Sequence, residues 1–390
     1  MIHGTSIAEF ERAFAARIGT RFAVSFGAGR VGLYGILRAL GIGSADEVLV
    51  PVPTHIVVAN AIRYTGARPV YVDCELETFN IDLEQAARRV TRRTKALIVQ
   101  HTFGIPVDLD RVTEITSRGV ALVEDCVHAL GSTYRGQSVG SFGSAAFFST
   151  EETKTISTIM GGMVVTDDEA LARSLRAFQA TCSSPSRFLV ARYLAKLLVY
   201  YGLSEPHVHR PMRRAYEQLG ERHPLPRPTT SIELRGFKPE RYEQRLSNAQ
   251  AAIGIEQLDN LDANVAHRRS IAERYRIRLS ERGVAVPHLP SESETAFVRY
   301  PVLVRDRAAA RRAVARTAVL GTWFTSVLEE AVSPAAGDYL DGSCPRAEIA
   351  ARHLVNLPTH PRVRADDADA IVDALLSSSA APVEAASQLL

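Results

Sequence analysis

Two residues stand at places where an apolar run gives way to a loop, and their chemistries are complementary. The run "VALVED" ends at Glu124-Asp125, and the run "AAFFS" ends at Ser149, five residues before Lys154 in "STEETKTIS". A third feature is "SFGAGRVGLYG", in which Gly27-Ala-Gly-Arg-Val-Gly32 is a G-x-G-x-x-G. Lysine is scarce here: Lys95, Lys154, Lys196 and Lys238 are the only four among 46 basic residues, so each can be weighed singly. Asp125 by itself is as consistent with a helix N-cap as with a ligand contact. Lys154 by itself is consistent with a solvated loop lysine, salt-bridged to Glu151 or Glu152.

Together they suggest more. Pyridoxal phosphate needs a lysine amine for a Schiff base, a carboxylate on its ring nitrogen and an anion site for its phosphate. A glycine loop opening onto a helix N-terminus supplies the anion site. Arg30, at the end of the glycines, is placed for bidentate pairing with phosphate. The rival reading of the glycines is a dinucleotide site, which expects an acid about 20 residues on, at the end of the second strand. That strand, "EVLVPV", ends at Val52-Pro53-Thr54 without one; Asp46 and Glu47 precede it. A nicotinamide or flavin enzyme is therefore excluded.

The elements that must position these groups are legible as alternation. "FAVSF", "EVLVPV", "PVYVDC", "ALIVQHT", "VALVEDC", "AAFFST" and "GGMVVTD" read as strands, with helical periodicity in many of the segments between them. Near-continuous apolar strands joined by helices indicate a parallel α/β sheet buried on both faces. Ligands of such sheets bind beyond the carboxyl ends of the strands, where Asp125, Ser149 and the glycine loop fall. A long helix is expected from 241, then a smaller α/β unit. Domains are expected at 1–240, with an amphipathic helix at 187–203 and a Pro-rich stretch inside 183–240, and at 241–376. The tail 377–390 is expected to be disordered. The amphipathic helix predicts packing against a partner subunit or over the active site. His207 and His209 suggest substrate contact or simple exposure rather than a metal site. Lys95, Lys196 and Lys238 read as structural or surface lysines.

Bulk properties narrow the classes. A net charge of +3 without a basic run argues against nucleic acid and for a small-molecule ligand. Four scattered cysteines imply neither disulfides nor a metal site, which fits a reducing cytoplasm. The N-terminus reads as an amphipathic helix rather than a signal peptide, and no apolar run is long enough to span a bilayer.

The order of "RALGIGSADEVLVPVPTHIVVANAIRYTGARPVYVD", "TFNIDLEQ", "RTKALIVQHTFGIPVDLD", "VEDCVHALGSTYRGQSVGSFGSAAFFS", "GGMVVTDD", "RLSNAQAAIGIEQL" and "LPTHP" resembles the DegT/DnrJ/EryC1/StrS sugar aminotransferases. The resemblance implies fold-type I architecture: a mostly parallel seven-stranded sheet in a large domain and a smaller C-terminal α/β domain. It implies Lys154 as the Schiff-base lysine, Asp125 on the pyridine nitrogen, and Ser149, Gly29 and Arg30 at the phosphate. It further implies His55 stacked on the ring and His128 facing the phenolic oxygen. It implies transamination through pyridoxal and pyridoxamine phosphate, from a glutamate or glutamine donor to a keto-sugar, cyclitol ketone or related carbonyl, in a homodimer with a shared active site. Arg30, His55 and His128 depart from the family's usual threonine, aromatic and glutamine. Glu243 stands where the family has an asparagine that reaches the partner's phosphate. A related subgroup with histidine at the lysine performs dehydration, which Lys154 argues against. A lyase-type reaction and a non-catalytic role are the alternatives.

Overall fold

The computed structural model describes residues 4–203, 228–321, 323–380 and 382–389; His207 and His209 lie outside them. Seven strands form one sheet: β1 (Phe22–Phe26), β2 (Glu47–Pro51), β3 (Arg68–Val72), β4 (Thr94–Gln100), β5 (Ala121–Asp125), β6 (Ala145–Ser149) and β7 (Gly162–Thr166). Their order across the sheet is β1-β7-β6-β5-β4-β2-β3. All neighbouring pairs are parallel except those on either side of β7, which runs against both β1 and β6. The expected mostly parallel seven-stranded sheet is thus present, with one reversed strand.

The continuous apolar runs have a direct cause. Val24, Val50, Ile98, Val123 and Phe147 point into one core, and their neighbours Ala23, Leu49, Leu97, Leu122 and Phe148 into a second core on the other face. With helices on both faces, alternate side chains are all buried. Helices α1 (Ser6–Ile18), α2 (Gly29–Ala39), α3 (Ile56–Arg63), α4 (Leu83–Arg89) and α5 (Leu109–Thr116) fall among these strands. Then α6 (Glu169–Thr181) and α7 (Arg187–Leu203) follow β7.

A third core lies in the C-terminal part. It joins the helix Leu261–Ser280, the helix Ala365–Leu376 and an antiparallel pair, β8 (Arg299–Leu303) and β9 (Leu354–Pro358). Tyr275, Tyr300, Ile371 and Leu375 fill it. Two expectations for this region are corrected. The long helix from 241 is two helices, Asn248–Asp259 and Leu261–Ser280, hinged at Asn260. Its start is set by Ser247, whose side chain and that of Gln250 form a reciprocal capping box. The described part of the tail docks: Val383 is buried, accepts from Ala285 N at 2.9 Å and donates its own N–H to Leu303 O at 3.1 Å. One well-placed apolar side chain and two backbone bonds dock it.

Sheet order brings the ends of β1, β6 and β5 to one edge, and a glycine keeps them close. A Cβ on Gly162 would lie 2.4 Å from Ala28 C and from Gly29 N, both main-chain atoms with no room to yield. Gly162→Ala is expected to destabilise the fold by about 1–3 kcal/mol through overpacking, read as a lower midpoint in denaturant unfolding. An unchanged midpoint would show that the loop before α2 moves freely.

Candidate active site

β5 ends at Asp125, which is 1% exposed. Its Oδ1 accepts from Val127 N at 3.1 Å, while Oδ2 is buried without a hydrogen-bond partner. Burial, opposed by that hydrogen bond and by the charge of Lys154, raises its pKa to about 7. Behind it, Glu124 is a hub. Its Oε2 meets His101 Nε2 at 3.1 Å and Gly140 N at 2.8 Å, and its Oε1 accepts from Phe142 N and Gly143 N, each at 2.8 Å. His101 Nδ1 accepts from Val107 N at 3.0 Å, which leaves the imidazole proton on Nε2. Cys126 completes a buried His-Glu-Cys cluster, yet its acid and imidazole already anchor backbone. The hub fixes the end of β5, and with it Asp125.

Lys154 sits on a loop closed at its base. Ser149 pairs with Gly162, Thr150 N donates to Gly161 O at 3.0 Å, and Thr158 N donates to Thr150 O at 2.9 Å. The acids beside Lys154 are engaged elsewhere: Glu151 Oε2 takes Thr153 N and Oγ1 at 3.0 and 2.6 Å, and Glu152 pairs with Lys196 of α7 at 2.6 Å. Burial lowers the Lys154 amine from 10.5 to about 8; Glu151, Asp125 and Glu330 pull upward against it, and Arg299 adds to the lowering.

The candidate anion site joins an open helix start to an arginine that is already paired. α2 begins at Gly29 with no side-chain cap and no acid in its first turn, the state in which a helix N-terminus attracts an anion. A Cβ on Gly29 would lie 3.4 Å from Ser149 Cβ, so the two residues adjoin. Ser149 Oγ accepts from Glu151 N at 3.3 Å, which leaves its proton to donate. Arg30 departs from the expectation of phosphate pairing. Its Nε lies 2.5 Å from Glu233 Oε1, and its Nη2 donates to Pro228 O at 3.2 Å. Glu233 is 1% exposed and also takes Thr230 N and Oγ1, each at 2.9 Å. A buried carboxylate without a cation is costly, so Glu233 claims the guanidinium. Tyr193 of α7 lies within reach of the same charge. Thus α7 contacts the Lys154 loop through Lys196 and Glu152, and Tyr193 feels the charge of Arg30. Glu243 is neutralised by Lys238 at 2.6 Å, and the next residue, Gln244, accepts from Gly27 N at 2.7 Å.

The two histidines are placed by hydrogen bonds that fix their protons. His55 caps α3, its Nδ1 accepting from Val57 N at 3.2 Å, and its Nε2 faces Glu330 at 3.3 Å. The pairing of Thr54–His55 with Leu328–Glu329 brings that second segment alongside. His128 Nδ1 accepts from Phe103 N at 3.4 Å, so its Nε2 carries the proton. Burial, then Lys154, Arg299 and His55, hold it well below the ordinary imidazole range, as a neutral donor.

Sequence reasoning missed what lies across from them. Trp323 stacks on His128 with centroids 4.4 Å apart and planes at 12°. Lys154 Nζ lies 4.0 Å from its ring centroid and Arg299 Cζ 4.2 Å. The signal available was that Trp323 is the sole tryptophan.

A lysine of lowered pKa, a carboxylate with an orphaned oxygen and an uncapped helix start now share one strand edge. The sequence profile of the DegT/DnrJ/EryC1/StrS aminotransferase family matches residues 1–203 and 215–376. The chain belongs to this family. It is 31% identical over 378 residues to GDP-perosamine synthase of Caulobacter vibrioides, covering 95% of this chain and 90% of that one. It is 29% identical to the spore coat polysaccharide biosynthesis protein SpsC of Bacillus subtilis, over 95% of this chain and 89% of that one. Among solved structures, S. venezuelae DesV in complex with a ketimine intermediate superposes with a TM-score of 0.75 at 30% identity, covering 96% of this chain and 89% of DesV. As a member of this family the chain is a pyridoxal phosphate-dependent sugar aminotransferase of fold-type I. The residues present fit that cofactor: Asp125 Oδ2 is a buried acceptor lacking a donor, which a protonated ring nitrogen is.

The lowered amine pKa has a measurable sign. In cofactor-free protein, acylation of Lys154 followed by mass spectrometry should rise with a midpoint near pH 8, where an ordinary lysine rises near 10.5. Asp125→Asn removes a charge that favours the ammonium, so the midpoint should fall further; a rise would refute the coupling. The Arg30 pair gives a second test. Arg30→Met should cost about 3–5 kcal/mol in denaturant unfolding by stranding the Glu233 carboxylate, and adding Glu233→Gln should restore much of it. Full stability of Arg30→Met would return the guanidinium to the anion site.

Proposed function

We propose that this chain moves an amino group from an amino acid, glutamate or glutamine, onto a nucleotide-linked keto-sugar. The observation that carries the reading is kinship with GDP-perosamine synthase across nearly both full lengths, in a chain that keeps Lys154 and Asp125 on one strand edge. Bound pyridoxal phosphate supplies an electron-withdrawing ring that stabilises negative charge at the reacting carbon.

This chain's residues do the rest. Asp125 Oδ2 would accept the ring N–H and favour protonation of that nitrogen. Ser149 Oγ and the first-turn amides of α2 at Gly29 and Arg30 would hold the phosphate, while the Arg30 side chain braces the site through Glu233. His128 Nε2–H would donate to the ring's phenolic oxygen, and His55 would contact the ring. Lys154 Nζ would hold the cofactor covalently, and as a free amine it would hold and move the proton at the donor's α-carbon.

The supporting assembly is a homodimer. α7 presents Phe188 and Leu198, 79% and 74% exposed, a face suited to cover by a second subunit. The setting is the cytoplasm, since all four cysteines are free and buried. Among the described residues no helix is long and apolar enough to cross a membrane.

The test is a pair of half-reactions. L-Glutamate should convert the yellow protein to its pyridoxamine form, and a GDP-linked keto-sugar should restore the colour. Lys154→Ala should lose borohydride fixation of the cofactor and slow both halves on the order of 10²–10⁴-fold. Fixation surviving in Lys154→Ala would overturn the assignment, as would a glutamate-treated protein inert to every keto-sugar offered.

A further inference from the structure

The C-terminal part holds a cavity of about 250 Å³ that the transamination reading does not use. It lies between the helix Leu261–Ser280 and the segment 287–300, which runs into β8. None of the residues assigned above to the cofactor lines it. Two hydroxyls in its wall are unusual for a protein interior. Thr295 is 3% exposed and Tyr300 1%, and neither Thr295 Oγ1 nor the Tyr300 hydroxyl has a hydrogen-bond partner among the described residues. Burial pushes the Tyr300 phenol up, and the charges of Arg276 and Glu273 also act on it. Both of those residues line the cavity, which places the hydroxyl on that side. A buried hydroxyl without a partner is costly. Phenylalanine and valine would fill the same volumes without that cost. Two such groups on one wall point to a partner from outside the chain.

The charges around these hydroxyls cancel. Among the described residues, the charged side chains on the wall are Arg269, Arg276, Glu273 and Glu294, and they are paired. Arg276 grips Glu273 with two bonds, Nε to Oε2 at 2.7 Å and Nη2 to Oε1 at 2.6 Å. Arg269 has every nitrogen engaged: Nη1 meets Glu294 Oε2 at 2.8 Å, Nε donates to Thr295 O at 3.2 Å, and Nη2 donates to Gly131 O at 3.1 Å. An anion would have to displace a carboxylate from its guanidinium, and a cation would have to displace a guanidinium from its carboxylate. The rim therefore favours a ligand without net charge. Pro287, Leu289, Phe297 and the Tyr300 ring add apolar wall, the last two with ring centroids 5.5 Å apart.

We infer that this cavity is a binding site for a small neutral polyol, a single sugar ring or a cyclitol. A hydroxyl both donates and accepts, so a polyol can satisfy Thr295 Oγ1 and the Tyr300 hydroxyl whichever way each proton points. Its C–H faces pack against Phe297 and Leu289, a gain that water alone does not offer. The size agrees: drug-sized ligands occupy sites of about 300–1,000 Å³, and this smaller cavity admits one ring and excludes a nucleotide-linked sugar. The site stands apart from the cofactor and does not depend on the reaction carried out at Lys154.

The test uses the pyridoxal-loaded protein, titrated with D-glucose, D-mannose and myo-inositol and read by saturation-transfer NMR. At least one of the three should bind. Tyr300→Phe and Thr295→Val, which remove only a hydroxyl from the wall, should each weaken that binding about 3–10-fold, the effect of one net hydrogen bond. The cofactor's absorption and both half-reactions should stay as in wild type, which keeps the site distinct from the one at Lys154. D-Glucuronate, a glucose ring with a carboxylate added, should bind no more tightly than D-glucose. Without ligand, Tyr300→Phe should unfold at the same denaturant midpoint or a higher one. A lower midpoint would show that the hydroxyl is already paired and would overturn the inference. Equal affinity in wild type and both variants also overturns it, as does failure of all three polyols to bind, which leaves the cavity to water. Tighter, Tyr300-dependent binding of D-glucuronate would refute the neutral ligand class.

Discussion

Everything at the active edge turns on one buried carboxylate. Asp125 has a single hydrogen bond and an oxygen with none, and a buried acceptor without a donor costs free energy wherever it stands. The fold tolerates it because the Glu124 hub ties the end of β5 to His101 and to the loop 140–143. Two adjacent acids thus divide the work. One is fully satisfied and holds the backbone; the other keeps an oxygen without a donor. Strand alternation sends them to opposite faces of the sheet, so neither interferes with the other.

Charge on the rest of the edge is arranged in local pairs. Glu233 holds Arg30, Lys196 holds Glu152, and Lys238 holds Glu243. These pairings clear competing ions from the space between Gly29, Ser149 and Lys154. What faces that space is mainly neutral or dipolar: a helix start, a hydroxyl and a histidine kept uncharged by its surroundings. An anion entering that space would meet oriented dipoles, whose alignment costs nothing at the moment of binding.

The strands were legible because burial on both faces makes each a nearly unbroken apolar run. Asp125, Ser149 and Lys154 were legible because they terminate or follow such runs. The pairing of Arg30 with Glu233 was hidden by distance: the two lie 203 residues apart, and local sequence shows only the glycines beside Arg30. The break at Asn260 was hidden because helical periodicity continues across it. The docked tail was hidden by its alanine and serine content, which resembles a linker although Val383 is an anchor. Trp323 and Arg299 come from segments whose order in the chain says nothing of their approach to β5 and β6. Only the assembled fold brings them together.

The loop that bears Lys154 has a consequence of its own. Strand pairing at Ser149–Gly162 and the hydrogen bond from Thr158 to Thr150 close it at the neck, so the lysine hangs on a short leash. An amine on an open, untethered loop would wander into solvent. Here its search volume is a few side-chain rotamers wide. The closed neck therefore turns an encounter into a local rearrangement, and the loop's geometry does the work that a high concentration of free amine would otherwise do.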